Sequence, residues 1–547
     1  MNSLLRLGGQ ICLLLVLMPV AHGKDWHELV QPIGNLMAVE SAATVNGRLG
    51  GFPPFETSTD VTTIQTGVPQ YFVRFYNPTS AENPSNPVGS WVMRSATVRG
   101  LTPAQVRDLF ALPAMPTMMT MVLVPAGSNL YTGIAAPIAG WGAGGGQQSK
   151  LIGPPWVSAD NFMNRQAIGD CILCYRTLAP NGNANRVASY LDARIPTAYS
   201  DLETVYTNLD LLYYPPTAPR FNQALNQISP QRYDHLAIDA VNASVLHNDA
   251  IDQRVAGLLF GDRSMGLSPD ENEPKRRNVW LQAAGSSMRA PGSGFSTHSS
   301  GIVAGTDARI SDNGLLGFSA GIARNDLNWN GGMGGVNTDY AKAGIYAVWN
   351  PGNWFAQGGV NAGISHGDAT RRLAFAALSR NATASTSGWE GNVHLRFGYR
   401  LPYRELDLVP AISLDYFYQR QGSFSESGAD SLNLRVQSVK YRTLRSNVGV
   451  SASWKSILPD GQLLMPRLQL GWVHERPLDN RAITAQLNGQ PDSFTVYGDT
   501  KSTDAISASL GFSLISGKHC SLFARYNLEY RRNFTEQALS AGLNYRF

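Results

Sequence analysis

The stretch QALSAGLNYRF (Gln537–Phe547) alternates small or polar side chains (Ala538, Ser540, Gly542, Asn544, Arg546) with Leu539, Ala541, Leu543, Tyr545 and Phe547. A period of two is that of a β-strand with one apolar and one polar face. The pattern recurs upstream. In WEGNVHLRFGYR (Trp389–Arg400), Trp389, Val393, Leu395, Phe397 and Tyr399 share one face, opposite Glu390, Asn392, His394, Arg396 and Arg400. From Leu406 onward, Leu408, Pro410, Ile412, Leu414, Tyr416 and Tyr418 oppose Asp407, Ser413, Asp415 and Gln419. Aromatics gather at strand ends, as a membrane barrel with an apolar outer face and interfacial girdles requires.

Tight connections rich in Gly, Pro, Asn and Asp fall at Ser311–Gly314, Asn350–Asn353, Leu401–Glu405, Leu458–Gln462 and Ile515–His519. Between them the sequence suggests longer, looser connections: the Gly-rich Asn330–Asn337 and polar stretches around Arg371–Ser387, Gly422–Leu434 and Asn480–Ser493. This alternation predicts short periplasmic turns and longer extracellular loops. From Asn278 to Phe547 there is room for about twelve strands, an even number that lets the last strand close the barrel. The predicted fold is therefore mainly β: a twelve-stranded antiparallel transmembrane barrel over 275–547.

Composition agrees. In 547 residues, 54 are glycine, 10% are aromatic and only 15% are charged, which is poor in charge for a soluble enzyme. A net charge of +4 without a Lys/Arg block excludes the electrostatic footprint of a nucleic-acid binder. Met1–Gly23 joins Arg6, the apolar run Ile11–Met18 and the small-residue exit Ala21-His22-Gly23, the layout of a secretory signal peptide (1–23). The run is shorter than the roughly 20 residues of a membrane span.

With these features the chain resembles the autotransporter family, Gram-negative outer-membrane proteins of type V secretion that carry their own export barrel. The resemblance covers roughly Ser229–Phe547. It implies Sec-dependent export, outer-membrane lipid as surroundings, and an assembly machinery that reads Leu543, Tyr545 and Phe547. The segment Ala224–Val255 is similar to the helical linker preceding the barrel in that family. Its own chemistry agrees: Ser229 suits an N-cap and Pro230 the first helical position, and neither Pro nor Gly follows until Gly257. A helix over 229–262 is long enough to thread the barrel, and its mixed polar and small residues suit an aqueous lumen. The bland alternative is a helix packed on a soluble domain. The resemblance also implies a candidate self-cleavage position, Asn248 before Asp249, with Asn242 as an equal candidate.

Residues 24–183 remain as a small α+β passenger and 184–228 as a helical spacer. Thr102-Pro103-Ala104-Gln105 marks a helix start with a capping box. The Gly-rich Pro137–Leu151 reads as a surface loop. Alternatively, as a strand, then a Gly-rich turn, then Gln147 and Gln148, it resembles NAD-consuming domains of ADP-ribosyltransferase-like toxins, which would make Arg94, Arg99, Trp141 and Gln148 ligand contacts. GFSAG (Gly317–Gly321) and GISHG (Gly363–Gly367) fit the G-x-S-x-G pattern but lie in strands with no following helix. His27, His235 and His247 stand alone, so no metal is expected, and no cofactor. Cys171 and Cys174, exported to an oxidising compartment, are expected to form a small-loop disulfide, with Cys520 a lone thiol. The expected function is an export barrel displaying a non-catalytic passenger for adhesion or contact with an unidentified host ligand; the alternative is the same barrel carrying an NAD-consuming enzyme.

Overall fold

The computed structural model describes residues 34–197, 200–260, 277–498, 503–516, 520–532 and 534–546. The signal segment, His27, most of the Ile515–His519 turn and Phe547 lie outside them. Two compact units are present, Met1–Leu173 with Ile195–Glu203, and Cys174–Arg194 with Thr204–Phe547.

The second unit holds a closed barrel of twelve antiparallel strands: β1 (Arg277–Ala290), β2 (Phe295–Ser311), β3 (Gly314–Trp329), β4 (Gly334–Trp349), β5 (Trp354–Phe375), β6 (Leu378–Tyr399), β7 (Leu406–Gln421), β8 (Val439–Trp454), β9 (Leu463–Pro477), β10 (Thr503–Ser516), β11 (Cys520–Arg531) and β12 (Phe534–Arg546). Closure is made by β12 against β1, with Leu543 opposite Leu281 and Ala541 opposite Ala283. Every strand then has two neighbours and no edge is left to pair elsewhere.

The faces are inverted relative to a soluble protein. Val393, Leu395 and Phe397 are exposed, whereas Glu390, Asn392, His394 and Arg396 on the alternate positions of β6 are buried. On β7, Leu408, Ile412 and Leu414 are exposed and Asp407, Asp415 and Gln419 buried. An exposed apolar belt is stable only against lipid, so the alternation read from sequence places lipid outside and a polar lumen inside. Exposed Trp349, Trp354 and Tyr403 mark one rim of the belt and exposed Trp389 and Trp472 the other.

The expected loop asymmetry holds only in part. Arg371–Ser387 is not a loop: β5 and β6 pair without a break up to Phe375 opposite Leu378, leaving a turn at Ala376 and Ala377. The polar composition of this stretch concealed its partners. Leu373, Phe375, Leu378 and Ala382 are buried, Asn208 Oδ1 accepts from Ala377 N at 2.9 Å, and Gln227 Oε1 accepts from Ala374 N at 2.6 Å. The two remaining polar stretches contribute to a four-stranded sheet in the order Phe424–Ser425, Leu434–Val436, Ala482–Leu487, Phe494–Tyr497. Asn330–Asn337 is shorter than expected because β4 already begins at Gly334. Outer connections are thus short at β1–β2, β3–β4, β5–β6 and β11–β12, and long at β7–β8 and β9–β10.

The helical segment ahead of the barrel is folded rather than extended. Helices Gly182–Asp192 and Ala218–Ile228 flank an aromatic cluster in which Tyr175 packs against Tyr206, Tyr213 and Phe221 and donates to Asp210 Oδ1 at 2.7 Å. Asn183 Nδ2 donates to Tyr497 O, and Tyr190 OH to Asp492 O, which binds this segment to the loop sheet.

The first unit is a small α+β fold. One sheet runs Gly34–Ser41, Asp60–Thr66, Asn129–Ile134, Gln147–Ile152, Trp91–Val92, and a second joins Gln70–Tyr76, Met118–Val124 and Phe162–Ala167. Phe72, Val92, Val122, Leu130, Leu151 and Phe162 form a shared core. The helix Pro103–Leu109 has the capping box read from sequence: Thr102 Oγ1 accepts from Gln105 N, and Gln105 Oε1 from Thr102 N. Cys171 and Cys174 are disulfide-bonded, and Cys520 is a free thiol.

The barrel lumen as candidate functional site

Ser229 caps a short 3-10 turn, Pro230–Asp234, accepting from Gln231 N at 3.2 Å. The chain continues as one helix, His235–Phe260, of 26 residues. At 1.5 Å per residue this is about 39 Å, enough to cross a hydrocarbon core of about 30 Å. Among the described residues no helix is apolar enough to cross lipid by itself. This one crosses inside the barrel, because Asp239, Ser244, His247, Asn248, Asp252, Gln253 and Arg254 each meet a polar group on the wall.

The contacts form tiers. At the outer end, Asp234 pairs with Arg481 at 2.8 Å, and Tyr233 OH donates to Glu426 at 2.6 Å. One turn further in, Asp239 accepts from Thr297 and Tyr340, both at 3.1 Å. Lys342 donates to Ser244 Oγ at 2.6 Å and pairs with Glu390. His247 bonds Ser319 at 3.0 Å. At mid-depth, Asn248 Nδ2 donates to Asp415 at 2.8 Å and to Asn392 at 2.7 Å, while its Oδ1 accepts from Asn361 at 2.9 Å. Asp252 is held by His394, Arg396 and Gln357. At the periplasmic end Arg254 grips Asp307 through two bonds of 2.7 Å, and Asp307 also accepts from Asn278 and Tyr346. Charge-assisted, bidentate bonds of this kind are the strongest polar contacts a protein makes.

The helix does not fill the lumen evenly. On the β8–β12 side a cavity of about 180 Å³ remains, lined by Asp249, Gln253, Arg445, Arg467, Arg525 and Glu536 among others. Further out on the same wall, Arg445 and Arg531 are interleaved with Glu475 and Glu529 in a ring of four ion pairs.

The structure separates the two cleavage candidates. Asn248 sits against a carboxylate and two amides; Asn242 only approaches Met288 Sδ, at 3.5 Å. Glu390 reaches the helix indirectly, through Lys342. The two G-x-S-x-G matches have a barrel explanation. A Cβ on Gly317 would lie 2.2 Å from the Tyr346 ring, so this glycine is a seat for a cross-strand aromatic, and Ser319 serves His247. His235 stacks on Phe295 at 4.3 Å. Among the described residues no cluster of three or more His, Cys, Asp or Glu could hold a metal ion.

In the first unit the residues singled out for NAD contact have structural partners. Arg94 pairs with Glu203, Arg99 donates to Leu173 O at 2.8 Å, and Gln148 donates to Pro54 O at 2.8 Å. Trp141 packs on Phe52, ring centroids 5.1 Å apart. The close approach that the Gly-rich stretch permits is to its own helix. A Cβ on Gly142 would meet Asp108 O at 2.4 Å and one on Gly146 the Phe110 ring at 2.6 Å. Gly144 N and Ala143 N both donate to Asp108, at 3.0 Å. Within that stretch, burial pushes the Lys150 ammonium down from its usual range, and it lies 5.2 Å over the Trp91 ring.

A closed barrel with an exposed apolar belt, a polar lumen and a helix keyed into that lumen defines an outer-membrane protein. Residues 279–527 match the family model described as the autotransporter beta-domain. The C-terminal domain is thus an autotransporter barrel, that of an outer-membrane protein of type V secretion. The chain is 23% identical over 337 residues to an extracellular serine protease of Serratia marcescens, covering 60% of this chain and 31% of that one. It is 25% identical over 238 residues to an uncharacterized protein of the trpE-trpG intergenic region of Pseudomonas putida, covering 42% and 38%. The chain thus spans about a third of the length of these curated relatives. Similar solved structures include the translocator domain of autotransporter NalP from Neisseria meningitidis (20% identity, TM-score 0.42, covering 56% of this chain and 98% of that one) and the beta domain of the Bordetella autotransporter BrkA (16%, 0.39, 50% and 100%).

Proposed function

We propose that the barrel exports residues 24–183 as a surface passenger for adhesion or host contact, and that the lumen then cuts the chain after Asn248. The observation that carries the cleavage is the environment of Asn248. Asp415 accepts a proton-bearing bond from its Nδ2, while Asn361 holds its Oδ1. Asp415 takes the Nδ2 proton as general base, and Nδ2 attacks the carbonyl carbon of Asn248 itself. The bond to the nitrogen of Asp249 breaks and that nitrogen takes the proton. The products are a C-terminal succinimide on the outer fragment and a free amine on Asp249. Holding the reacting atoms within one residue removes most of the entropic barrier.

The expected result is a barrel-sized outer-membrane band whose N-terminal residue is Asp249. Asn248→Ala leaves the chain uncut, Asn242→Ala has no effect, and Asp415→Asn slows cutting by roughly 100-fold, as loss of a general base does. A persistent full-length band in the parent protein would sink the cleavage and leave export untouched. The non-catalytic reading of the passenger is favoured over the NAD-consuming one by the partners of Arg94, Arg99 and Gln148. Incubating the exported protein with NAD tests this: no nicotinamide release is expected.

Assembly is the other half of the function. We infer that Leu543, Tyr545 and Phe547 form the signal read by the outer-membrane assembly machinery, supported by the place of Leu543 and Tyr545 opposite Leu281 and Val279 in the strand that closes the barrel. Deleting Phe547 lowers outer-membrane abundance and raises periplasmic degradation. Unchanged abundance on a membrane fractionation would argue against it.

A further inference from the structure

The outward face of the barrel is not electrically uniform at its extracellular rim. On β7, β8 and β9 the apolar rows end in Arg420, Lys440, Arg442 and Arg476, all exposed and all on the lipid-facing side of their strands. Arg420 stands directly opposite Lys440 in the β7–β8 register, and Tyr418 opposite Arg442. Arg476 lies opposite Leu444 across the β8–β9 pair. Like charges placed directly across neighbouring strands are destabilising by themselves. Among the described residues the carboxylate that meets this quartet is Asp479, 3.2 Å from Arg442; Arg420, Lys440 and Arg476 have none within reach. Four cations therefore face one anion.

What lies beneath the quartet identifies its occupant. Trp389 is in register with Arg420, and its ring packs on Tyr418 with centroids 4.9 Å apart. Below these aromatics run exposed Ile412, Leu414, Val448, Val450, Leu468 and Leu470. The cations thus crown an interfacial girdle, at the depth where the headgroups of the outer leaflet lie. On β3 and β4, by contrast, Arg324 is neutralised by Asp326 and Asp339, at 3.5 and 3.7 Å. That sector lacks the run of unmatched cations found on β7–β9.

We propose that Arg420, Lys440, Arg442 and Arg476 form a binding site for the phosphate groups of an outer-leaflet glycolipid, whose acyl chains lie on the apolar rows of β7–β9. Guanidinium groups bind phosphate oxygens bidentately, and a bound phosphate removes the repulsion between Arg420 and Lys440. The apolar surface immediately below distinguishes a lipid from a free anion. The proposal rests on the outer-membrane placement of the barrel and on nothing in the lumen.

The test uses the full-length protein purified in detergent, with correct folding verified by heat-modifiable migration on gels. Bisphosphorylated lipid A is titrated, with binding read by native mass spectrometry. Arg420→Gln/Lys440→Gln is expected to weaken binding roughly thirty-fold, from the typical contribution of each cation at an anionic lipid surface. Arg324→Gln, in the neutralised sector, leaves binding unchanged. Dephosphorylated lipid A binds the parent protein as weakly as lipid A binds the double variant. Equal affinity for the dephosphorylated lipid, or an equal loss in Arg324→Gln, overturns the site. Inorganic phosphate that displaces lipid A at equal concentration overturns the lipid and leaves a bare anion site.

Discussion

Removing the lumen helix, residues 229–260, opens the barrel: reconstituted in a planar bilayer, the shortened protein conducts ions severalfold better than the full chain. A helix with its side chains is about 10 Å across, and a twelve-stranded barrel emptied of it leaves an aqueous path lined by Asp307, His394, Asp415 and the other polar groups now bonded to the helix. The full chain should still pass a small current, because the cavity of about 180 Å³ beside β8–β12 already interrupts the packing. That residual current provides an internal control. Arg445 sits between Glu475 and Glu529 on the cavity side, so Arg445→Gln leaves Arg531 alone against both carboxylates, a net negative charge that shifts the small current toward cations. Equal conductance with and without the helix would remove its role as a plug.

The barrel was legible because lipid and lumen impose opposite chemistries on alternate residues, and the alternation survives in one strand at a time. Trp389 to Phe397 shows it without any knowledge of the neighbours. The lumen helix was legible at its start, where Ser229 and Pro230 carry local capping information. Its partners were not. That Asn248 rather than Asn242 meets a carboxylate depends on helix rotation and on a β7 residue, Asp415, far along the chain. No local pattern encodes that meeting. The loops failed for a related reason. Arg371–Ser387 is polar enough to read as coil, but its pairing is fixed by a buried inner row and by Asn208 and Gln227, which are distant in sequence. In the first unit, the Gly-rich stretch carried a correct message, close backbone approach. Its object turned out to be the Pro103–Leu109 helix.

The largest stability effect is expected at Arg371. Its side chain and that of Glu426 are both fully buried, 2.5 Å apart, and the guanidinium also donates to Gln227 O and Leu432 O. Glu426 in turn accepts from Tyr233 OH and Leu434 N. One arginine thus ties the β5–β6 hairpin to the loop sheet and to the segment entering the barrel. Arg371→Met strands a carboxylate away from water, and breaking a buried pair from one side costs about 3–5 kcal/mol. Replacing both partners, in Arg371→Met/Glu426→Leu, removes the uncompensated charge and should recover much of that loss. Hydrogen exchange of the backbone amides in 424–436 and 482–497 reads the difference as earlier opening of the loop sheet in the single variant. A single variant no more exchangeable than the parent would mean that water or a rearranged donor satisfies Glu426. The clamp also bears on what cleavage can release. Tyr233, Asp234 and Gln227 all lie on the outer side of Asn248, so a chain cut there keeps its outer fragment bound to Glu426, Arg481 and Arg371. Cutting alone should leave the passenger on the cell, and Arg371→Met in the cut protein should raise the share shed into the medium while Arg481 still holds Asp234 against complete release.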